Sequence, residues 1–221
     1  MSPTARHPAL KVGPEDLERG RRPGAPAMLA HVVFKTPRLA EMSDWYALLL
    51  DGMVVFGDKR ISFITYDDEH HRVALIKLPR VLKIPGAVWK IHRKFWGFDH
   101  VAFTYDRFES LVSTYRRLAD AGIHPVWCIN HGPTTSMYYE DPDGNRVELQ
   151  VNNFATNRAL MDWLSGGEFE KNPIGVEFDP DVLERLLTSG VPTAELTPRG
   201  SAPPDGRKAR AGLRTLRWKT L

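Results

Sequence analysis

Two stretches of the chain share one pattern of apolar and polar positions. From His31, "HVVFKTPRLAEMSDWYALL" opens as a short strand-like run and continues with apolar residues at Leu39, Met42, Tyr46 and Leu49. From His100, "HVAFTYDRFESLVSTYRRL" does the same, with Leu111, Tyr115 and Leu118 at helical spacing. Each predicts a strand followed by an amphipathic helix. The offset is a constant 69, with His31/His100, Val32/Val101, Phe34/Phe103, Arg38/Arg107, Tyr46/Tyr115 and Leu49/Leu118 matched. A repeat of this kind sets the architecture before any other feature.

Three further strands follow each helix. "ISFITYDDEHHRVAL" from Ile61 aligns without gaps on "TSMYYEDPDGNRVEL" from Thr135 at offset 74, matching Ser62/Ser136, Asp67/Asp141, Arg72/Arg146, Val73/Val147 and Leu75/Leu149. The residues Asp141-Pro142-Asp143-Gly144-Asn145 read as a tight hairpin turn. The prediction is two βαβββ modules, residues 28–79 and 97–151, joined by a connector at 80–96 rich in Lys, Arg and Trp. An N-terminal arm (1–27), a C-terminal extension (154–198) and a basic tail (199–221) flank a domain at 28–153. In the extension, "ATNRALMDWLSGG" reads as a short helix ended by glycines, and "NPIGVEFDPDVLERLLTSG" as a strand or arm followed by a second short helix.

One residue breaks the pattern. In the last strand Val147, Leu149 and Val151 take one face, so Glu148 shares the other with Arg146 and Gln150. A carboxylate at the middle of a partly buried strand is costly unless it has a partner. The βαβββ order, repeated, predicts an α+β domain whose two curved sheets pair about a pseudo-twofold axis, first strands facing last strands across a cleft. That arrangement gathers His31, His100 and Glu148. Two imidazoles and one carboxylate with open positions suit non-haem Fe(II) or a similar divalent ion.

Composition narrows the picture. The chain has 221 residues, 42% hydrophobic, enough for one core or one domain plus arms. The pI of about 9.0 suggests a nucleic-acid partner, but the tails carry the positive charge. Residues 199–221 hold a net +6 and residues 1–26 a net +2, which leaves 27–198 at −5 of the total +3. The folded part therefore offers no surface of the kind a phosphate backbone needs, and no specific nucleic-acid partner is expected. No apolar run approaches membrane-spanning length and the N-terminal residues lack a signal-peptide core, so a cytoplasmic protein without a membrane partner is the expectation. The single Cys128 excludes an internal disulfide and reads as packing. Homo-oligomerisation stays open.

The residues "LAHVVF", "GFDHVAF" and "NRVELQ" resemble the three ligand strands of the vicinal oxygen chelate superfamily. Within it, the chain looks like the single-domain extradiol catechol dioxygenases over residues 29–153. The resemblance implies one domain with a half-open β-barrel around a metal, Fe(II) or alternatively Mn(II), held by His31, His100 and Glu148. "HHRVALIKLP" resembles the segment carrying an acid/base histidine, which falls on His71. "NHG" followed by "MYYEDPDGNRVE" resembles the segment carrying a further histidine and a tyrosine, which fall on His131 and Tyr138. Strand parity points elsewhere for the first of these. His70 has the parity of Ala74, whereas His71 faces the site only if a bulge or the strand's end redirects it. The interval from His131 to Tyr138 is shorter than is usual in that family, and the 80–96 connector is longer.

The repeat adds an argument of its own. Glu148 aligns with Ala74, so the position that supplies a fourth ligand in the glyoxalase I branch holds a methyl group. Three protein ligands leave an octahedral ion three positions, the number a bidentate catecholate and dioxygen require. The expected function is therefore meta-cleavage of a catechol by O2. The alternatives are another metal-dependent enzyme on this scaffold (a glyoxalase-type lyase, a thiol transferase or an epimerase) or a non-enzymatic drug-binding resistance protein. No substrate-binding residues can be assigned at this stage.

Overall fold

The computed structural model describes residues 20, 25–78 and 98–204. The 80–96 connector, most of the N-terminal arm and the tail from residue 205 onward lie outside the described residues. The chain divides into one unit made of Leu29–Asn153 with Gly175–Leu221, and a second made of Met1–Met28 with Phe154–Ile174.

In the larger unit the first module runs β1 (Val32–Thr36), α1 (Leu39–Leu50), β2 (Met53–Gly57), β3 (Ile61–Thr65) and β4 (Val73–Lys77). The second runs β5 (His100–Tyr105), α2 (Phe108–Asp120), β6 (Trp127–Asn130), β7 (Thr134–Glu140) and β8 (Arg146–Asn152). Both βαβββ modules and the α+β class are as the repeat predicts. The sheets are separate, ordered β1-β4-β3-β2 and β5-β8-β7-β6-β9, where β9 is the two-residue strand Val176–Glu177. Neither closes into a barrel.

The sheets also show a neighbour relation that the repeat alone does not predict. Each first strand lies beside the last strand of its own module, in parallel, as β1 with β4 and β5 with β8. The intervening helix and hairpin provide the long crossover that parallel neighbours need. As a result, residues at the starts of β5 and β8 become immediate neighbours.

Alternation sorts the strands into a core face and an open face. Phe34, Ile64, Val73 and Leu75 of the first sheet and Met137, Tyr139, Val147, Leu149 and Val151 of the second are buried against the two helices. From the helices, Met42, Tyr46 and Leu49 and their repeat mates Leu111, Tyr115 and Leu118 fill the same core. A buried leucine or tyrosine of this kind typically contributes about 2 kcal/mol. Cys128 packs against this core, and burial holds its thiol well above the usual range. The packing expectation stands.

The turn at 141–145 is fixed by one carboxylate. Asp141 accepts from the backbone N–H groups of Asp143 (3.0 Å) and Asn145 (2.7 Å) and from the Tyr46 hydroxyl of α1 (3.0 Å). Gly144 supplies the positive φ the turn requires, 79°. The gapless alignment of the two hairpins fails by one residue. Ala74 pairs with Phe63, and Glu148 with Tyr138, so β4 and β8 match at offset 74 but β3 and β7 at 75. The extra residue sits in the turn before β4. Ser62 therefore faces the core, where it bonds Ser43 (2.8 Å), while Ser136 lies on the face of Glu148.

After β8, the smaller unit contains α3 (Asn157–Ser165) and α4 (Glu168–Lys171). The larger unit then gains β9, α5 (Pro180–Thr188) and α6 (Thr193–Leu196). Phe178, Leu183, Leu196 and Ala202 of this last segment belong to the core itself. Among the described residues no helix is long and apolar enough to cross a membrane.

Candidate active site

The open face of the second sheet carries a row of polar side chains. Ala102, Glu148, Tyr138 and Trp127 lie directly opposite one another on β5, β8, β7 and β6, and His100 stands two residues before Ala102 on the same face. Glu148 is only 5% exposed. Its Oε2 lies 2.9 Å from His100 Nε2, and the other nitrogen, Nδ1, lies 2.7 Å from Asp99 Oδ2. The hydrogen bond to Glu148, aided by Asp99 and opposed by burial, raises the His100 imidazole to about 9. Burial pushes the Glu148 carboxyl upward, but bonds from His100, Ser136 and Tyr138 and the charge of His100 bring it below its usual value.

Tyr138 and His131 extend the row. His131 Nε2 and the Tyr138 hydroxyl are 3.1 Å apart, and either can donate. Burial, then the Glu148 charge and hydrogen bond, raise the Tyr138 phenol, so it keeps its proton and serves as a donor. The Tyr138 ring meets His100 edge-on at 5.3 Å between centroids and lies tilted against Trp127 at 5.0 Å.

His31 and His71 form a separate pair. His31 sits one residue before β1, and its ring lies 4.5 Å from that of His71, which precedes β4 by two residues. Being outside the strand, His71 escapes the parity that weighed against it. His70 stacks on His71 at 4.4 Å, with its Nε2 3.4 Å from Glu69. Phe63 also stacks on His71 at 4.4 Å. Burial and the neighbouring His70 and His31 lower the His71 imidazole, which favours the neutral ring.

Of the six residues singled out from sequence, the structure thus links His100, Glu148, Tyr138 and His131 by direct contacts, and pairs His31 with His71. Among the described residues no three His, Cys, Asp or Glu side chains are grouped closely enough to hold a metal. The donor chemistry of the linked pair nonetheless fits a divalent ion. Nε2 and Oε2 stand 2.9 Å apart, and Asp99 on Nδ1 would hold the tautomer that leaves Nε2 a lone pair once the proton between it and Glu148 is displaced.

Sequence reasoning missed Asp99, Ser136, Trp127 and Glu177. Asp99 immediately precedes a candidate ligand, and a carboxylate there is a recognisable partner for imidazole. Trp127 carries no such signal, because its place opposite Tyr138 depends on strand register. Glu177, whose Oε1 accepts from Trp127 Nε1 at 3.0 Å, lies 50 residues away in sequence.

The profile of the Glyoxalase/Bleomycin resistance protein/Dioxygenase superfamily matches residues 28–149. Biphenyl-2,3-diol 1,2-dioxygenase 2 of Rhodococcus globerulus is 44% identical over 170 residues, covering 76% of this chain and 85% of its own. Biphenyl-2,3-diol 1,2-dioxygenase 3 of the same organism is 41% identical over 174 residues, covering 79% and 89%. A glyoxylase/bleomycin resistance protein/dioxygenase domain from Frankia sp. EAN1pec superposes with a TM-score of 0.47 at 17% identity, over 62% of this chain and 99% of that one. With more than half of the chain inside the matched span and two relatives above 40% identity, the chain belongs to the glyoxalase/bleomycin resistance protein/dioxygenase superfamily.

Proposed function

We propose that the protein is an extradiol dioxygenase that opens the ring of a catechol with O2, and that its substrates include aryl-substituted catechols such as biphenyl-2,3-diol. The observation that carries this reading is the contact of His100 Nε2 with Glu148 Oε2 at 2.9 Å, with Glu148 buried on the strand face it shares with Tyr138. The activity of the two Rhodococcus relatives, biphenyl-2,3-diol 1,2-dioxygenases, favours ring cleavage over the lyase, transferase and drug-binding readings.

In this account His31, His100 and Glu148 hold Fe(II), with Mn(II) the alternative ion. The equivalence of His31 and His100 in the repeat supports the third ligand. When bound, the ion supplies Lewis acidity toward both catechol hydroxyls and one-electron chemistry toward O2. Asp99 keeps His100 in the ligating tautomer. Glu148, charged and buried, offsets one of the two positive charges of the ion.

His71, beside His31, takes a catechol proton as substrate binds and returns one as the ring opens. Tyr138 and His131 hold oxygen atoms of the substrate by hydrogen bonds. Because β7 fixes Tyr138 and the phenol is linked to His131, they need little rearrangement to do so. Trp127 extends this wall with an aromatic surface on which a second ring can lie. The test is oxygen uptake by protein reconstituted anaerobically with Fe(II), across a panel of monocyclic and aryl-substituted catechols. Uptake coupled to ring-opened product is expected; absence of uptake with every catechol would refute the reading.

A further inference from the structure

The superfamily match ends at residue 149, yet the site does not. The residues 130–132 that carry His131 are held from outside the two modules, by the segment that follows Gly175. Gly175 has φ +119° and lies flat against this loop, where an added Cβ would sit 2.3 Å from the Asn130 carbonyl oxygen and 2.8 Å from His131 Cα. Asn130, 3% exposed, donates from Nδ2 to the Thr197 carbonyl at 2.9 Å. The Arg199 guanidinium donates to the His131 carbonyl. On β9, Val176 pairs with Asn130, and Glu177 accepts from Trp127, whose ring lies against both His131 and Tyr138.

These contacts converge on one short loop. Asn130 Oδ1 also accepts from Gly132 N (2.9 Å) and from Asn153 Nδ2 (3.1 Å), and Asn153 Nδ2 reaches the Gly132 carbonyl at 2.8 Å. The loop's backbone is therefore bonded on both flanks, from the end of β8 and from the C-terminal segment. A loop tip would ordinarily be among the more mobile parts of a domain. Here Phe178, Leu183, Leu196 and Ala202 anchor the outer flank in the core.

We propose that residues 175–199 act as a clamp that positions His131, and through it the Tyr138 hydroxyl, for the proposed ring-cleavage reaction. Gly175 and Arg199 are its positioning residues, and both act on the His131 backbone. The clamp rests on the proposed function, because its effect is read through His131. An imidazole displaced by about 1 Å loses on the order of a hundredfold in rate when it contacts the reacting oxygens.

The test is a double-mutant cycle on the full-length, Fe(II)-loaded protein, with thermal unfolding followed in parallel. Arg199→Ala should lower kcat roughly tenfold, and Gly175→Ala by as much or more, with smaller changes in KM. Arg199→Lys, which retains a donor to the His131 carbonyl, should recover most of the loss. In a His131→Ala background, Arg199→Ala should cost under about twofold, because the group it positions is gone. Leu183→Ala removes a core contact of the same segment without touching the loop, and should lower Tm while sparing that coupling. Equal losses from Arg199→Ala in the presence and absence of His131 would overturn the clamp, as would an unchanged kcat in both Gly175→Ala and Arg199→Ala. If His131→Ala itself turns over catechols at the parent rate, the role given to His131 fails, whatever the clamp does.

Discussion

The two modules share a backbone but differ in chemistry. On the open face of the first sheet, Val33, Ala74 and Phe63 stand in register; at the same places in the second stand Ala102, Glu148 and Tyr138. The outer strands differ too. β2 is exposed along its whole length, whereas β6 is covered by β9 and the C-terminal segment. The comparison separates what the fold requires from what the proposed reaction would require. Both modules need the strand–helix core, and it repeats. Among the described residues, only the second sheet carries a buried carboxylate with a hydroxyl beside it on this face, and only its outer strand is covered by a further strand.

Replacing Glu148 with alanine removes the chief difference. It should abolish ring cleavage and lower iron occupancy while leaving the fold intact, since Ala74 shows that a methyl group is tolerated at this register position. Iron analysis and oxygen uptake on the same preparation check it, and full iron binding by the variant would contradict the ligand assignment. The histidine pair of the first module gives the next largest effect. His71→Ala should retain metal and slow turnover by roughly a hundredfold, whereas His70→Ala, whose Nε2 lies 3.4 Å from Glu69, should change it little. The reverse pattern would show that strand parity was the better guide.

Making the first module resemble the second is a finer test. Ala74→Glu places a carboxylate at the counterpart of Glu148, and if the two faces meet at the metal it occupies a position needed by substrate or O2. Turnover should fall by on the order of tenfold or more with metal retained, and Ala74→Gln, nearly isosteric but a weaker ligand, should fall less. Parent-rate cleavage by Ala74→Glu would show that residue 74 does not face the metal.

The smallest effect concerns structure alone. Tyr46 and its repeat mate Tyr115 each donate to an aspartate, Asp141 of the hairpin turn and Asp181 of α5. Tyr46→Phe should lower stability by about 1 kcal/mol and leave kcat within about twofold, because the turn keeps its backbone bonds to Asp141. Chemical denaturation beside steady-state kinetics checks both.

These matched tyrosines also show what could be read from the chain in advance. The offset of 69 revealed both modules, equated His31 with His100 and placed Tyr46 and Tyr115 on equivalent helix faces, because a repeat records equivalence directly. Alternation turned Glu148 away from the core for the same reason. Partners decided by register or by distant segments left no local trace. A single extra residue before β4 shifted β3 against β7 and separated Ser62 from Ser136. β9 is two residues long, too short for any periodicity, yet it carries the acceptor for Trp127. The adjacency of first and last strands was missed because apolar patterning reveals faces and not neighbours.

The central claim is that this site inserts both atoms of O2 into a catechol ring. Fe(II)-reconstituted protein given biphenyl-2,3-diol under 18O2, with product quenched before exchange with solvent and weighed by mass spectrometry, addresses it most directly. The account predicts a ring-opened product that carries both labelled atoms, formed by the parent protein and absent with Glu148→Ala. Product with one labelled atom, or unlabelled product formed without oxygen uptake, would contradict it.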